Sequence, residues 1–351
     1  MEKKAGIILV NYKDYARKFL DECRDSLKSQ SYPYFSVYIV DNASSEKSRK
    51  YLAQNYPEAK IVPRSDGNYA AANNAGIRKA IEDRCQYLVI ANMDTEFDRN
   101  WLRELIRVFE KKEDAGLVQS KILLYRKERE AKINSLGNII NYLGFGFTSA
   151  YEEKDREIKG EPEIKGYASG CSFLTSREVI GKIGVYDEEY WMYHDDVEMG
   201  WRARLAGYKI YLAPKSIVWH KYEFSRSIRM LYYMERNRCL VIWQYYKLPT
   251  LILIFPALLL MELGIFLYSI PGGWFLTKLK ADSYFLKPST WLKIIKKRKR
   301  IKKIRQVKDR EVVKDFSGQV SFQEIDNPVL KYIANPIFNL YWKIVKKIII
   351  W

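Results

Sequence analysis

Three short apolar runs, each closed by an amide or an acid, constrain this chain more than any other feature. They are Gly6-Ile-Ile-Leu-Val-Asn11, Ser36-Val-Tyr-Ile-Val-Asp41 and Tyr87-Leu-Val-Ile-Ala-Asn-Met-Asp94. Apolar runs of this length bounded by polar residues read as buried strands. From about Asp14 to Gln30, Phe19, Leu20, Cys23 and Leu27 recur at helical spacing, and Ala43-Ser-Ser opens a second helix with hydroxyl caps. Lys60-Ile-Val-Pro63 is a short third strand. A turn at Asp66-Gly67-Asn68-Tyr69 leads into a helix of small residues, Ala70 to Ile77, and a further helix is expected near Trp101–Lys111. Strand and helix alternating in this way give right-handed βαβ units, so the expected fold class is α/β with a mostly parallel sheet flanked by helices. Open sheets of this kind bind ligands at the carboxyl ends of their strands. Asp94 alone reads equally well as a turn cap or as a ligand-holding carboxylate. Asn11, Asp41 and Asp94 together, each directly after a strand, describe a nucleotide pocket along one sheet edge.

The second half carries fewer but sharper signals. Residues 125–164 are weakly patterned, with a charged stretch at Arg126–Lys132, and read as a loop-rich segment. Tyr167 to Thr175 reads as a strand with Gly170 inside it, and a strand glycine marks close approach of backbone or ligand. Ser176 starts a short helix. Asp195 and Glu198 have the spacing of a carboxylate capping box, which leaves Asp196 in the first turn without a local duty. Neighbouring carboxylates raise one another's pKa, which suits a general base; acids at a helix start also simply complement the dipole. Gly207 closes that helix, and strands follow at Lys209–Pro214 and Ile217–His220. His220 suits either packing or, with an acid and diphosphate oxygens, a divalent cation. His194, just before the acids, reads as a packing residue or one that supports them.

Several classes are excluded. No Gly-Lys-Ser/Thr follows the Gly67 turn, so there is no P-loop, and no GxGxxG follows the first strand, which argues against a dinucleotide-dependent oxidoreductase. The four cysteines, at 23, 85, 171 and 239, have no short pairing, so neither a disulfide framework nor a zinc site is suggested.

The ordered set Ile8-Leu-Val-Asn-Tyr12, Tyr38-Ile-Val-Asp-Asn-Ala-Ser44, Gly67-Asn-Tyr-Ala-Ala-Ala-Asn-Asn-Ala-Gly76, Ala91-Asn-Met-Asp-Thr95, Ser169-Gly-Cys171, Tyr193-His-Asp-Asp-Val-Glu198 and Trp219-His220 resembles the family 2 glycosyltransferases of GT-A fold. It is most similar to their rhamnosyltransferase-like members, over roughly residues 5–245. The resemblance implies an inverting transferase using a nucleotide-sugar donor and a divalent cation, Mn²⁺ or Mg²⁺. It implies that Asn11 and Asp41 line the nucleotide pocket, and that Asp66, Asn68, Asn73, Asn92 and Gly170 lie along donor and sugar. It also implies that Asp94 and His220 hold the metal and that Asp196, beside Asp195, is the catalytic base. Four features depart from the pattern: Asn92 stands where a first acid is usual, Met93 replaces a proline, the turn reads Asp66-Gly67-Asn68, and the acidic pair is Asp195-Asp196 where Glu-Asp is commoner.

The net charge is +18, yet residues 275–351 hold 19 Lys and Arg against 6 Asp and Glu, so most of the excess belongs to the tail. Its densest part is Lys293–Arg305. The apolar run Leu248–Ile270 is long enough to cross a bilayer. Pro256 and Glu262 interrupt it, and a single crossing would set the basic tail against the positive-inside bias. A kinked re-entrant or in-plane element is therefore expected, with Val329–Trp351 as an interfacial helix; packing of the two apolar segments together, or at an oligomer interface, is the competing reading. The expected domains are a catalytic one over 1–246, an apolar segment over 247–275 and a basic amphipathic tail over 276–351. Charge confined beside apolar helices favours an anionic membrane surface over nucleic acid. Met1-Glu-Lys-Lys leads straight into a strand without a signal-peptide pattern, so the cytoplasmic face of the cell membrane is the expected setting. The acceptor is then expected to be a lipid-linked sugar or surface glycan. The alternatives are transfer to a polyprenyl phosphate, a basic nucleic-acid-binding module, and a non-catalytic membrane-bound relative.

Overall fold

In the computed structural model, residues 3–125, 131–222, 230–321 and 328–351 are described, so most of the charged stretch at Arg126–Lys132 lies outside them. The chain divides into two compact units. One comprises the residues up to Asn138, Thr148–Ala203 and Tyr208–Tyr222; the other comprises Ile139–Phe147, Arg204–Gly207 and the chain after Tyr222. The second unit thus begins before residue 247 and takes in the helix Leu231–Tyr245.

The first unit is built on β1 (Ala5–Tyr12), β2 (Phe35–Asn42), β3 (Lys60–Arg64), β4 (Tyr87–Ala91), β5 (Thr95–Phe97), β6 (Ala115–Leu124) and β7 (Ile133–Ser135). A small ribbon, β8 (Asn138–Ile140) with β9 (Gly146–Thr148), belongs mostly to the second unit, and β10 (Ser172–Ser176) and β11 (Lys209–His220) complete the first. The helices are α1 (Tyr15–Lys28), α2 (Glu46–Asn55), α3 (Tyr69–Glu82), α4 (Trp101–Lys111), α5 (Arg177–Ile183) and α6 (Asp195–Leu205). The main sheet has the order β3-β2-β1-β4-β10-β6-β11-β5, with β7 on the side of β6.

The sheet is mixed rather than mostly parallel. The ladders β1–β2, β1–β4, β2–β3 and β6–β11 are parallel; β4–β10, β6–β10, β5–β11 and β6–β7 are antiparallel. The reversal comes from β10, which inserts between β4 and β6 against both. The expected pair of strands after Gly207 is one strand, β11, with a register shift between Ala213 and Ile217 around Pro214. Proline cannot donate to the ladder, which accounts for the irregularity.

Alternation along β1 shows why the sheet is covered on both faces. Ile7 and Leu9 join the core with Leu20 and Leu27 of α1 and Leu105 of α4. Ile8 faces the other way, against α3: a Cβ at Gly76 would sit 2.5 Å from its Cγ2. Overpacking of this kind costs about 1–3 kcal/mol. Ala70, Ala71 and Ala72 are fully buried. The small residues of α3 therefore serve close helix–sheet packing, not the approach of a ligand.

The second unit contains α7 (Leu231–Tyr245), α8 (Leu248–Ser269), α9 (Phe275–Ser283), α10 (Pro288–Ile304), α11 (Asp309–Val313) and α12 (Asn335–Ile348). α8 runs unbroken through Pro256. Its one acid, Glu262, pairs with Lys278 of α9 at 2.6 Å and with Arg238 of α7 at 2.5 Å. Leu251, Ile254, Leu258 and Met261 are buried, while Ile252, Phe255, Leu259, Leu260, Leu263 and Leu267 are exposed. Part of the basic run is structural: Lys297 is buried over the Tyr245 ring, Arg298 donates to the Trp243 carbonyl at 2.6 Å, and Arg305 donates to that of Tyr245 at 2.6 Å.

Candidate active site

Parallel pairing puts Asn11 and Asp41 side by side at the ends of β1 and β2. The Asn11 amide donates to Asp41 Oδ1 at 2.8 Å, and its Oδ1 accepts the Ala16 N–H at 2.9 Å, fixing the entry to α1. Asp41 also accepts from the Ser44 hydroxyl and from Arg49 Nε, the latter at 2.9 Å. The result is a buried carboxylate on the sheet edge with a guanidinium beside it. The next residue, Asn42, organises the turn before α3: its Oδ1 accepts the Gly67 N–H and its amide donates to the Asn68 carbonyl. Gly67 has φ +78°, a conformation glycine adopts without strain. Asp66 pairs with Arg64, which holds its carboxyl below the usual range.

Asp94 follows β4 in the turn before β5. Antiparallel pairing matches Thr95 of β5 with His220, the last residue of β11. This register brings His220 Nε2 to 3.5 Å from Asp94 Oδ1, both residues being buried. His220 Nδ1 lies 3.0 Å from Asn134 Oδ1 on β7. An amide oxygen only accepts, so Nδ1 carries the proton and Nε2 presents its other face to Asp94. Burial disfavours the imidazolium, but Cys171 and the Asp94 carboxylate outweigh it and push the pKa up to about 10, so without a cation Nε2 is protonated too, and a metal ion bound there would displace that proton. A carboxylate oxygen and a histidine nitrogen this far apart fit two adjacent ligands of one divalent ion, with Asn134 as the outer partner that orients the ring. Among the described residues no group of three or more His, Cys, Asp or Glu is placed to hold a metal. Such an ion would complete its shell from substrate and water.

The acidic pair opens α6. Asp195 is buried and Asp196 half-buried, so Asp196 is the one open to solvent. Its Oδ2 accepts the Gly170 N–H at 3.4 Å and its Oδ1 accepts the Val197 N–H at 2.8 Å. Burial lifts Asp196 from 3.8 to about 6 despite these bonds. Asp195 is raised further, by burial and by the charges of Asp196 and Glu198. Glu198 forms a buried salt bridge with Arg202 at 2.9 Å, and Arg202 donates to the Ile183 carbonyl. Gly170 lies just ahead of β10 rather than inside a strand, and what approaches its backbone is Asp196. A Cβ there would meet Asp196 Cβ at 3.9 Å and the Tyr69 hydroxyl at 4.0 Å, both ordinary contacts. Tyr69 in turn donates to Asn92 Oδ1 at 3.0 Å, and the Asn92 N–H donates to the Cys171 carbonyl.

Asn92, Asp94, Gly170, Asp195, Asp196 and His220 therefore cluster at the ends of β4, β10 and β11, on the edge that β1 and β2 continue with Asn11 and Asp41. Two predicted donor contacts have duties within the protein. Asn68 caps α3 by accepting the Ala71 N–H at 3.0 Å, and its amide donates to the Glu188 carbonyl at 2.9 Å. Asn73 is buried and donates to the Tyr69 carbonyl. Sequence reasoning missed Asn134 and Asn74. Asn74 donates to the Tyr186 carbonyl and to Glu188 Oε1, at 2.9 and 3.0 Å. With Asn68 it clasps the loop leading to the acids, where Trp191, Tyr193 and His194 all have φ of 60–65°. Non-glycine residues in this region cost about 1–3 kcal/mol each and persist where their surroundings hold them. Two adjacent asparagines inside a helix, where asparagine is a poor former, were the available signal.

The sequence model of the family "Glycosyl transferase family 2" matches residues 6–184. An N-acetylglucosaminyl-diphospho-decaprenol L-rhamnosyltransferase of Mycobacterium tuberculosis is 25% identical over 209 residues, covering 53% of this chain and 66% of the relative. The low-salt glycan biosynthesis hexosyltransferase Agl10 of Haloferax volcanii is 25% identical over 202 residues, covering 57% of this chain and 61% of the relative. The chain thus spans less than two thirds of the length of either curated relative. Among solved structures, GalNAc-T7 with UDP, GalNAc and Mn²⁺ superposes with a TM-score of 0.52 at 17% identity, covering 63% of this chain and 44% of the other. At that identity the likeness speaks to the GT-A fold alone.

Proposed function

As the chain belongs to glycosyl transferase family 2, we propose that it is an inverting transferase moving a hexosyl or rhamnosyl group from a nucleotide-sugar to an acceptor hydroxyl. The observation that carries this reading is the placement of a half-buried, basic carboxylate, Asp196, on the sheet edge that also bears the Asp94/His220 pair. Asp41 and Asn11 receive the nucleotide. Asp94 and His220 would hold a divalent cation at the diphosphate end, with Asn134 fixing the ring. When bound, Mn²⁺ or Mg²⁺ there neutralises charge growing on the departing diphosphate. Asp196 takes the proton of the acceptor hydroxyl as that oxygen bonds to the anomeric carbon from the face opposite the leaving group. The bond from that carbon to the diphosphate oxygen breaks in the same step, so no protein nucleophile is needed. The Gly170 N–H steadies the Asp196 carboxylate, and burial sustains its basicity.

We further propose that the acceptor is a lipid-linked sugar or growing glycan and that the helical unit rests on the cytoplasmic face of the cell membrane. The name of the mycobacterial relative, which includes a diphospho-decaprenol, supports the first part. The exposed apolar face of α8 supports the second, and the pairing of Glu262 within its own unit favours an in-plane helix over a span. The test is a panel of nucleotide-sugars with Mn²⁺, scored for donor hydrolysis by the wild type and by Asp196→Asn. The expected outcome is one hydrolysed donor that Asp196→Asn still binds but no longer transfers. Normal turnover in that variant would remove Asp196 from the mechanism.

A further inference from the structure

The helical unit contains an open cavity of about 420 Å³ lined by Arg310, Lys314 and Lys347, which are exposed, and by half-buried Lys346. Arg310 lies in α11, Lys314 caps its end, and Lys346 and Lys347 lie in the last turn of α12. None of the four has an ion-pair partner among the described residues, and the nearby acids are engaged elsewhere. Asp309 is held by Arg305, the Thr250 hydroxyl and the Lys247 N–H. Asp315 pairs with Arg204 at 3.1 Å, and Glu311 accepts the Lys308 N–H. The backbone fixes the arrangement, since the Arg310 N–H donates at 3.1 Å to a main-chain carboxylate oxygen of Trp351, the last residue of the sequence. Lys346 and Lys347 also complement the negative end of the α12 dipole, but that does not account for two further cations from another element. Four cations outnumber the single carboxylate of Trp351 beside them, and the excess attracts a further anion.

We infer that this cavity is a phosphate site, binding the phosphate or diphosphate group of a ligand distinct from the nucleotide-sugar. A guanidinium fork beside three ammonium groups matches tetrahedral phosphate oxygens, with arginine bidentate and the lysines as point charges. Such a volume lies within the range of small-ligand sites. On α12 the same helix presents Ile337, Leu340, Ile344 and Ile348, all exposed at helical spacing, beside these cations. Phosphate next to an apolar stripe is the chemistry of a lipid headgroup; a soluble diphosphate shares the phosphate. The site is separate from the basic run of α10, and it stands whether or not the transfer reading does.

The test uses the full chain in EDTA, which takes metal-dependent binding at the catalytic edge out of the readout. Pyrophosphate binding is followed by calorimetry, and vesicle binding by flotation with phosphatidylcholine alone or with phosphatidic acid added. One variant carries Arg310→Gln, Lys314→Gln, Lys346→Gln and Lys347→Gln. A control removes the same charge from exposed α10 positions: Lys299→Gln, Arg300→Gln, Lys302→Gln and Lys303→Gln. Donor hydrolysis, assayed separately with Mn²⁺, and thermal melting report that each variant is folded, and the two half-variants, at 310/314 and at 346/347, serve if the full one is not. The cavity variant is expected to bind at least about tenfold more weakly while the control changes less than about threefold, because only the former removes direct contacts. Loss confined to acidic vesicles assigns a lipid headgroup; loss that includes pyrophosphate assigns a soluble diphosphate as well. Equal weakening in both variants, or no wild-type binding to either probe, overturns the inference.

Discussion

Replacing Asp196 by Asn should stabilise the protein while abolishing transfer. The carboxylate is raised from 3.8 to about 6 by burial, so the folded state disfavours its ionised form. At about 1.4 kcal/mol per pH unit, that gap corresponds to about 3 kcal/mol. Asp196 is partly solvent-exposed, and screening reduces the recoverable part to about 1–2 kcal/mol. A raised carboxylate pKa gives stability that is fully present below pH 3.8 and is lost as pH rises through about 6. At pH 7 the wild type therefore carries the whole penalty, and Asp196→Asn does not. The variant keeps one oxygen, for the Gly170 or the Val197 N–H but not both, and relieves Asp195, which the Asp196 charge also raises. Melting followed by circular dichroism at pH 7 should show a gain of about 2–8 °C, at about 2–4 °C per kcal/mol. Between pH 7 and 5 that difference should shrink as the wild type takes up its proton. A variant less stable than the wild type at pH 7, or a difference independent of pH, would refute the claim that this carboxylate is held against its solvation.

Wild-type transfer should fall as pH drops through about 6, about tenfold by pH 5, because only ionised Asp196 accepts a proton; initial rates against pH check this. Gly170→Ala introduces only ordinary contacts, so its melting temperature should stay close to that of the wild type, while the methyl beside Asp196 and Tyr69 lowers transfer. Unchanged kinetics would show that no substrate uses that space. Asn134→Ala removes the acceptor that orients His220 and should weaken Mn²⁺ affinity about 10–100-fold, measured by titration of metal-dependent activity and of metal binding itself. Asn68→Ala loses both the α3 cap and the clasp on Glu188; the cap alone contributes about 1 kcal/mol, so the denaturant midpoint should fall by more than a cap accounts for.

What the sequence made legible was local. β1, β2, β4 and α1–α4 are written in apolar runs and helical spacing, and Asn11, Asp41 and Asp94 stand out because each closes an apolar run, the first two as the penultimate residues of their strands. Strand direction is not written that way: β10 has the same composition whether it runs with its neighbours or against them, so the sheet's mixed character appears only in the register. The pairing of three-residue β5 with the far end of β11 is equally silent, although it is what brings His220 to Asp94. Residues 131–164 lack periodicity because β7, β8 and β9 are only three residues long, and Asn134 lies in one of them. Composition marks the tail as basic and amphipathic without saying which of its cations are packed. Lys297, Arg298 and Arg305 are instead packed against their own unit, while the unpaired cations come from two segments more than thirty residues apart in sequence.

The configuration of the transferred sugar tests the central claim most directly. With the donor identified, the anomeric centre of the first-formed product is read by proton NMR before it equilibrates. Single displacement assisted by Asp196 predicts a configuration opposite to that of the donor. Retention would require a covalent or front-face path that this arrangement of residues does not supply, and it would contradict the account.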